Sequence, residues 1–347
     1  MSTNPPVDRY VAVEQCPLCA SHSRSVVYER IEDYKYKVPG NWSFIKCIDC
    51  GAVYLDPRLA DPMEGYPSGY SQHKWPQTPG FYAPYSWKGM IRCGVLYSLG
   101  YRELDCPWFG RVIGRVLGSI PFVRLKALWG FLLVPKARPG GRLLDVGCGN
   151  GRFLAAMRAL GWEVMGVEPD PVSRSIAESL TDALVLPSLA EALFPANFFD
   201  IITMNHVLEH ISEPAIVLRE CWRILKPGGM LGLCVPNWDS LTRRIFGKHC
   251  YHLEPPRHVV MYEPDSLRRL LVGAGFEIHS LKTTSVRERR NSFKQSWQFR
   301  NGRYPPRLLL AFWEVLSTLI NFVSSTTGEE IVVWAKKPQE YRWERKV

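Results

Sequence analysis

No run of about 20 uninterrupted apolar residues occurs in the 347-residue chain, so no membrane-spanning helix is expected. The first residues, Met1-Ser2-Thr3-Asn4-Pro5-Pro6, lack the basic and apolar regions of a secretory signal, which points to a cytoplasmic protein. No internal repeat is visible, which argues against solenoids and propellers. A disulfide framework does not suit that compartment, so the 10 cysteines read as thiols or metal ligands. Nor is there an acidic excess: the formal net charge is +10. With 46% hydrophobic and 22% charged residues, the composition is neither disordered nor fibrous. The length suffices for one large domain or two moderate ones.

The positive charge is unevenly placed. Residues 1–87 carry a net −1 and residues 139–285 a net −2, whereas 88–138 carry +7 and 286–347 carry +6. These two basic segments flank the motifs described below. They read either as solvated surface or as docking surface for something anionic.

Four blocks follow one another. Residues 10–57 hold two cysteine pairs among short alternating stretches, the pattern of a small β-rich knuckle, and define a module over residues 1–60. Residues 58–87 are dense in Pro, Gly and Tyr, which marks loop and turn. With the apolar, basic stretch 88–138 they make a linker and helical insert over 61–138. After Pro139-Gly140-Gly141, runs at 142–146, 163–167, 199–204, 230–235, 276–280 and 330–335 read as strands. Helical patterns lie between them at 152–160, 171–180, 213–225 and 264–274. This alternation predicts an α/β fold over 139–338, a doubly wound, mainly parallel sheet, with a helical insert at 286–328.

The most informative segment is Leu143-Leu144-Asp145-Val146-Gly147-Cys148-Gly149-Asn150-Gly151. A strand runs into three alternate glycines, and a helix follows. Glycines serve where a turn takes positive φ or where backbone must approach a ligand. Such a ligand sits outside the carboxyl ends of the strands. Glu168, at the end of the second strand in Gly166-Val167-Glu168-Pro169-Asp170, can accept hydrogen bonds from ribose hydroxyls. A dinucleotide-binding domain is the rival reading, but its fingerprint is G-x-G-x-x-G. Asp145 would also repel a pyrophosphate. S-adenosylmethionine (SAM), with a sulfonium and an amino group and no phosphate, is compatible with that acid.

These residues resemble motif I of class I SAM-dependent methyltransferases. Phe199-Asp200-Ile201-Ile202 with Asn205-His206-Val207-Leu208-Glu209-His210 is similar to the family's post-II motif, and Leu225-Lys226-Pro227-Gly228-Gly229 to the turn before its fifth strand. The resemblance implies a Rossmann-like seven-stranded sheet. It also implies SAM held by Asp145, Gly147, Cys148, Gly149, Asn150 and Gly151, and by Glu168, Pro169 and Asp170. Ser188 and Leu189 would lie over the adenine, with Asn205 and His206 beside the cofactor.

Cys16-Pro17-Leu18-Cys19 and Cys47-Ile48-Asp49-Cys50 are two CxxC pairs. Tetrahedral zinc takes four soft ligands, two from each such turn, and four thiolates leave no open position, so the metal reads as structural Zn(2+). Buried thiol pairs and a redox CxxC are the alternatives. The remaining cysteines show no ligand spacing and read as core or surface thiols. The knuckle, with Cys50-Gly51-Ala52-Val53-Tyr54 and Asp56-Pro57-Arg58, resembles bacterial methyltransferases that join a cysteine knuckle to a SAM domain, including sugar C-methyltransferases. Tyr66 and Tyr70 fall in the tyrosine-rich stretch that leads toward the active site in such proteins.

Methyl transfer to a hydroxyl or carbon acid needs an aligned acceptor and a base. In Tyr251-His252-Leu253-Glu254-Pro255-Pro256-Arg257-His258, two prolines fix a path beyond the fifth strand. His258 is the first candidate, with Tyr251 and His210 behind it. His206 and His210, four apart, would share a face if their segment were helical. The expected substrate is a small or lipid-linked, anionic sugar- or glycan-pathway metabolite methylated on oxygen or carbon. The inserts near 108–134 and 305–322 mix Arg and Lys with Trp, Phe and Leu, which suits contact with the anionic inner face of a membrane, a lid or a dimer helix. The alternative function is RNA methylation, with the knuckle and basic surface gripping nucleic acid. The slightly acidic knuckle block and the lack of an aromatic-basic RNA motif argue against it. A non-catalytic SAM-binding scaffold is a third reading, opposed by the intact motif I.

Overall fold

The computed structural model describes residues 9–66, 73–76, 86–324 and 326–339. The first block gives β1 (Tyr10–Val11), β2 (Arg24–Ile31), β3 (Trp42–Cys47), β4 (Val53–Asp56) and β5 (Arg58–Leu59). Three helices follow: α1 (Trp87–Ser98), α2 (Trp108–Leu117) and α3 (Pro121–Ala127). Then come β6 (Arg142–Val146), α4 (Arg152–Ala159), β7 (Glu163–Val167), α5 (Pro171–Thr181), β8 (Val185–Leu186), α6 (Leu189–Ala192) and β9 (Phe199–Asn205). The chain continues through α7 (Pro214–Ile224), β10 (Leu225–Pro236), α8 (Leu241–Phe246), β11 (Val260–Met261), α9 (Pro264–Gly273) and β12 (Glu277–Thr284). It closes with α10 (Arg289–Asn301), α11 (Arg307–Val323) and β13 (Glu330–Lys336).

Seven strands make one sheet in the order β12-β13-β10-β9-β6-β7-β8. β10, β9, β6, β7 and β8 run parallel, and β13 lies antiparallel between β10 and β12. This is the doubly wound, Rossmann-like sheet expected from the β/α alternation. Central strands buried on both faces need continuous apolar runs, and β9 supplies one, buried from Phe199 to Met204. Leu144, Ile202, Met204, Leu231, Leu233 and Val333 pack on one side. Leu143, Leu154, Met157, Trp162 and Ile201 pack on the other. β10 starts earlier than its apolar run because Leu225 pairs with Phe199 before a register break at Met230. β6 and β9 are neighbours while β7 and β8 lie to one side, so the loops after β6 and β9 part above their carboxyl ends and leave a crevice there.

The small sheet has the order β11-β4-β3-β2. Residues 1–60 therefore do not close it by themselves; its fourth strand, β11, comes from beyond β10. Ile31, Trp42, Phe44, Val53 and Leu55 share one core with Trp238, Leu253 and Met261. Across this seam the Arg257 guanidinium forms two hydrogen bonds to the Asp33 carboxylate, at 2.8 and 2.9 Å, and a third to the Gly65 carbonyl at 3.0 Å. Arg257 and Asp33 are 4% and 1% exposed.

One sequence reading is corrected here: Cys93 and Cys106 are joined as a disulfide rather than being separate thiols. α1 and α2 cross with almost no side-chain volume between them, since a Cβ added to Gly94 would stand 2.2 Å from the Gly110 carbonyl oxygen. That approach brings the residue before Gly94 to the start of α2. Among the described residues no helix is long and apolar enough to cross a membrane.

Removing one partner of a buried ion pair strands the other. Arg257→Ala or Asp33→Ala should each lower unfolding free energy in urea by about 3–5 kcal/mol, and the double variant by less than their sum. Losses below about 1 kcal/mol would show that the seam does not depend on this pair. Because Arg257 holds the Asp33 carboxyl below the ordinary carboxylate range against the effect of burial, this contribution is present at neutral pH and lost as pH falls through that depressed value.

Candidate functional site

The three alternate glycines after β6 all take positive φ: 72° at Gly147, 55° at Gly149 and 77° at Gly151. The turn needs glycine for space as well. A Cβ on Gly147 would stand 2.4 Å from Val207, and one on Gly151 2.7 Å from the Ala177 Cα. Gly147 and Cys148 donate their N–H groups to the Val167 carbonyl, which ties the loop to the end of β7. Glu168 then accepts from the Gly149 N–H at 2.8 Å and the Asp170 N–H at 3.0 Å. Asp170 caps α5 through the Ser173 N–H at 2.7 Å. Strand, loop and helix thus fix one another before any ligand arrives.

A cavity of about 820 Å³ opens beside this loop. Asp145, Gly147, Cys148, Gly149, Asn150, Glu168, Pro169, Asp170, Asn205 and His206 all line it. Gly151, Ser188 and Leu189 are not among its lining residues. Gly151 lies against α5, and Ser188 caps α6 through the Glu191 N–H. The Cys148 sulfur lies over Gly166, where a Cβ would come within 2.7 Å of it. Burial, with Asp145 and Glu168 nearby, pushes this thiol up, so it stays neutral. Burial also raises Asp145 to about 7, opposed by a hydrogen bond from Thr203 and reinforced by the Glu168 charge.

The far wall carries the histidines. His258 Nδ1 lies 2.7 Å from the His252 carbonyl oxygen. A carbonyl only accepts, so Nδ1 holds the proton and the lone pair sits on Nε2. Burial, and then His210, keep His258 well below the ordinary histidine value. The His210 and His258 rings meet edge to face with centroids 4.7 Å apart. His210 Nδ1 is 2.9 Å from the Arg257 carbonyl oxygen and 3.0 Å from the Tyr66 hydroxyl. Tyr251 lines the same cavity, with the Lys35 ammonium 5.1 Å from its ring centroid. Tyr70 lies outside the described residues.

His206 and His210 do not share a helix face, correcting the condition attached to that pair. His206 takes φ 57°, and only Leu208–His210 forms a short 3-10 turn. Their rings have different hydrogen-bond partners. His206 sets Nδ1 3.1 Å from Glu209 and Nε2 2.8 Å from Glu330, with Arg287 against the same nitrogen. Burial opposes its charge, but Cys234 and the two glutamates shift it well above the ordinary histidine value.

Two donor sets here, besides the four knuckle cysteines, have geometry that could hold a cation: His206 with Cys234 and Glu330, and Glu209 with His210 and His258. Arg287 already supplies positive charge to the first. In the second, the Glu209 Oε2 is buried without a hydrogen-bond partner. In the knuckle, the Cys16–Cys50 and Cys19–Cys47 sulfurs are 3.5 and 3.6 Å apart. That is close to the edge of about 3.8 Å of a tetrahedron with zinc–sulfur bonds of about 2.3 Å.

Other lining residues had no motif to announce them. The described piece of the Pro- and Tyr-rich linker crosses the glycine loop: the Lys74 carbonyl accepts from Asn150 at 3.0 Å, and His73 meets Asp170 at 3.0 Å. Trp75 from this piece, Lys35 and Tyr36 from the small module, and Arg287 from the turn before α10 complete the wall. Aromatic density in the linker was the one available signal.

A family model described as a methyltransferase domain matches residues 123–281. The ubiquinone biosynthesis O-methyltransferase of a Caulobacter species is 30% identical over 178 residues, which cover 46% of this chain and 70% of that protein. The chain is a class I SAM-dependent methyltransferase. The like-named protein of Xanthomonas campestris is 35% identical over 108 residues, 29% of this chain and 45% of its own length. The methyltransferase thus spans between about half and two thirds of the curated relatives it matches. Among solved structures, a SAM-dependent methyltransferase from Archaeoglobus fulgidus aligns over 70% of this chain and 99% of its own, at 18% identity and TM-score 0.42.

The loop of the methyltransferase fits a cationic cofactor: close backbone approach at the glycines and a buried carboxylate with a raised pKa. A cation favours the ionised form of Asp145. SAM affinity should therefore hold above pH about 7 and weaken as pH falls below that value, by up to about tenfold per unit. Asp145→Asn should flatten the profile. Titration calorimetry checks both, and a wild-type dissociation constant unchanged from about pH 8 to pH 6 would remove Asp145 from cofactor recognition.

Proposed function

We propose that the methyltransferase moves the SAM methyl group to an oxygen or carbon of a small or lipid-linked sugar- or glycan-pathway metabolite, with His258 as general base. The observation that carries this reading is the imidazole of His258 on the cavity wall, with Nδ1 tied to backbone and the Nε2 lone pair 4.0 Å from the Glu209 carboxylate. A hydroxyl or carbon acid gives up its proton as the methyl arrives, and a positioned base accelerates that step. His258 is available at neutral pH because it stays uncharged there. SAM supplies the electrophilic methyl; the chain aligns the acceptor, receives its proton and excludes water. Tyr36, Tyr66, Trp75 and Tyr251 offer flat aromatic surfaces on which the apolar face of a ring can lie. The relatives' name, O-methyltransferase, favours oxygen as the acceptor atom.

Cys16, Cys19, Cys47 and Cys50 hold one structural Zn(2+) in this reading. It closes the knuckle from which β3 and β4 depart and so supports the wall bearing Lys35 and Tyr36.

His258→Ala should lower kcat by about 10²–10⁴-fold while leaving the SAM dissociation constant unchanged by calorimetry. The acceptor is found by supplying labelled SAM with fractionated cell extract. Label in nucleotide-sugar or glycolipid fractions supports the proposal; label in RNA, or an unaltered kcat in the variant, overturns it. Elemental analysis should find one zinc per chain, lost in Cys47→Ser. A metal-free protein with an unchanged melting temperature in chelator would refute the zinc.

A further inference from the structure

Helix α2 is built with its small residues inward and its large apolar ones outward. Gly110 and Gly114 are buried against α1, whereas Trp108, Val112 and Val116 are 75%, 56% and 62% exposed. Ile120 and Phe122, at the start of α3, are 48% and 53% exposed. The orientation is fixed by backbone contact: a Cβ added to Gly114 would stand 2.3 Å from the Gly94 Cα. Turning the helix to bury Val112 and Val116 would force side chains into that contact and drive α1 and α2 apart. Clustered apolar exposure of this kind marks an interaction surface.

The charges on α2 and α3 themselves have one sign. Arg111 and Arg115, four apart, follow one edge of the apolar stripe, and Lys126 stands on α3. All three are exposed, and no ion pair engages them among the described residues. Arg111 is braced, with its Nε donating to the Cys106 carbonyl at 2.9 Å and its guanidinium 4.5 Å from the Tyr97 ring centroid. Glu103 and Asp105 are the sole acids between residues 88 and 138. Just beyond α3, Gly130, Phe131, Leu132 and Leu133 become part of the cavity wall, and Arg152 clasps the Trp129 carbonyl at 3.1 Å. Helix α11 has a comparable stripe in Leu308, Phe312, Val315 and Leu319, but that helix also carries an acid, Glu314, which pairs with Arg290.

We propose that the α2–α3 surface docks on an anionic lipid bilayer. Trp108, Val112, Val116 and Phe122 enter the headgroup boundary, and Arg111, Arg115 and Lys126 meet lipid phosphates. Apolar side chains edged by cations are what an interfacial helix presents. The anionic charge that the segment needs and does not find within the chain is supplied by the bilayer. Docking holds the cavity wall close to the membrane, so an acceptor carried by lipid is within reach. The inference concerns the surface and does not depend on which acceptor is methylated.

The full chain is floated with phosphatidylcholine vesicles and with vesicles that also contain phosphatidylglycerol, at low and high salt, without SAM or acceptor. Binding is expected to the anionic vesicles at low salt and to be lost on neutral vesicles. Val112→Ser with Val116→Ser should weaken it about tenfold or more, as should Arg111→Gln with Arg115→Gln. Unchanged SAM affinity in both variants shows that they fold. Equal flotation of variants and wild type overturns the proposal. So does a wild-type chain that ignores vesicles but self-associates in sedimentation through Val112 and Val116, which would make a second copy the occupant.

Discussion

The Arg257 guanidinium is the contact on which the site depends. It is buried, forked onto Asp33, bonded to the Gly65 carbonyl and stacked 4.6 Å from the Tyr36 ring. Asp33 and Tyr36 belong to the small module and Gly65 to the turn leading to Tyr66, while Arg257 itself comes from the cavity wall. Its own carbonyl meets His210, and the next residue is His258. One planar cation with several fixed donors therefore sets where the small module sits and where both histidines point. Arginine suits this because its fork matches a carboxylate and its charge does not titrate away.

Around that anchor the chain keeps neutral and charged groups apart by burial. His258 and His210 are turned toward carbonyls and held neutral. His206, nearby, faces Glu209 and Glu330 and is shifted well above the ordinary histidine value. The same residue type is shifted in opposite directions because His206 touches two carboxylates at 3.1 and 2.8 Å, whereas Glu209 stands 4.0 Å from His258 and desolvation prevails there. On the cofactor side, burial raises both Asp145 and Glu168, and the Glu168 charge raises Asp145 further until a cation arrives. Both walls of the cavity are thus electrostatically prepared before binding, as preorganised sites are.

The helical insert shows how a small-residue contact governs a surface. Gly94 and Gly114 permit backbone contact, and the large residues of α2 are turned outward as a result. The Cys93–Cys106 disulfide lies at that crossing. Sequence spacing gave no sign of it, because the two cysteines are brought together by a helix crossing and not by a local turn.

The sequence by itself determined the sheet. Apolar runs at strand length alternate with amphipathic helices, and three alternate glycines after Asp145 admit few backbone paths, so fold, cofactor loop and the four-cysteine knuckle were legible from local pattern. Glu168 was legible for the same reason: it sits a fixed step beyond a strand that pairs with the one before the loop. The opposite wall of the cavity was not. Lys35, Tyr36, Trp75 and Arg287 reach the cavity from segments far apart in sequence and carry no shared spacing. The condition on which His206 and His210 would share a face is not met, because the left-handed backbone at His206 breaks the helical spacing between them. Ser188 caps α6 and Leu189 begins it, and neither is among the residues that line the cavity. Local pattern fixes elements because backbone sterics and hydrophobic period act over a few residues. The opposing wall of a site is assembled across hundreds, and only the buried ion pair and the packing of the two sheets decided which side chains would meet there.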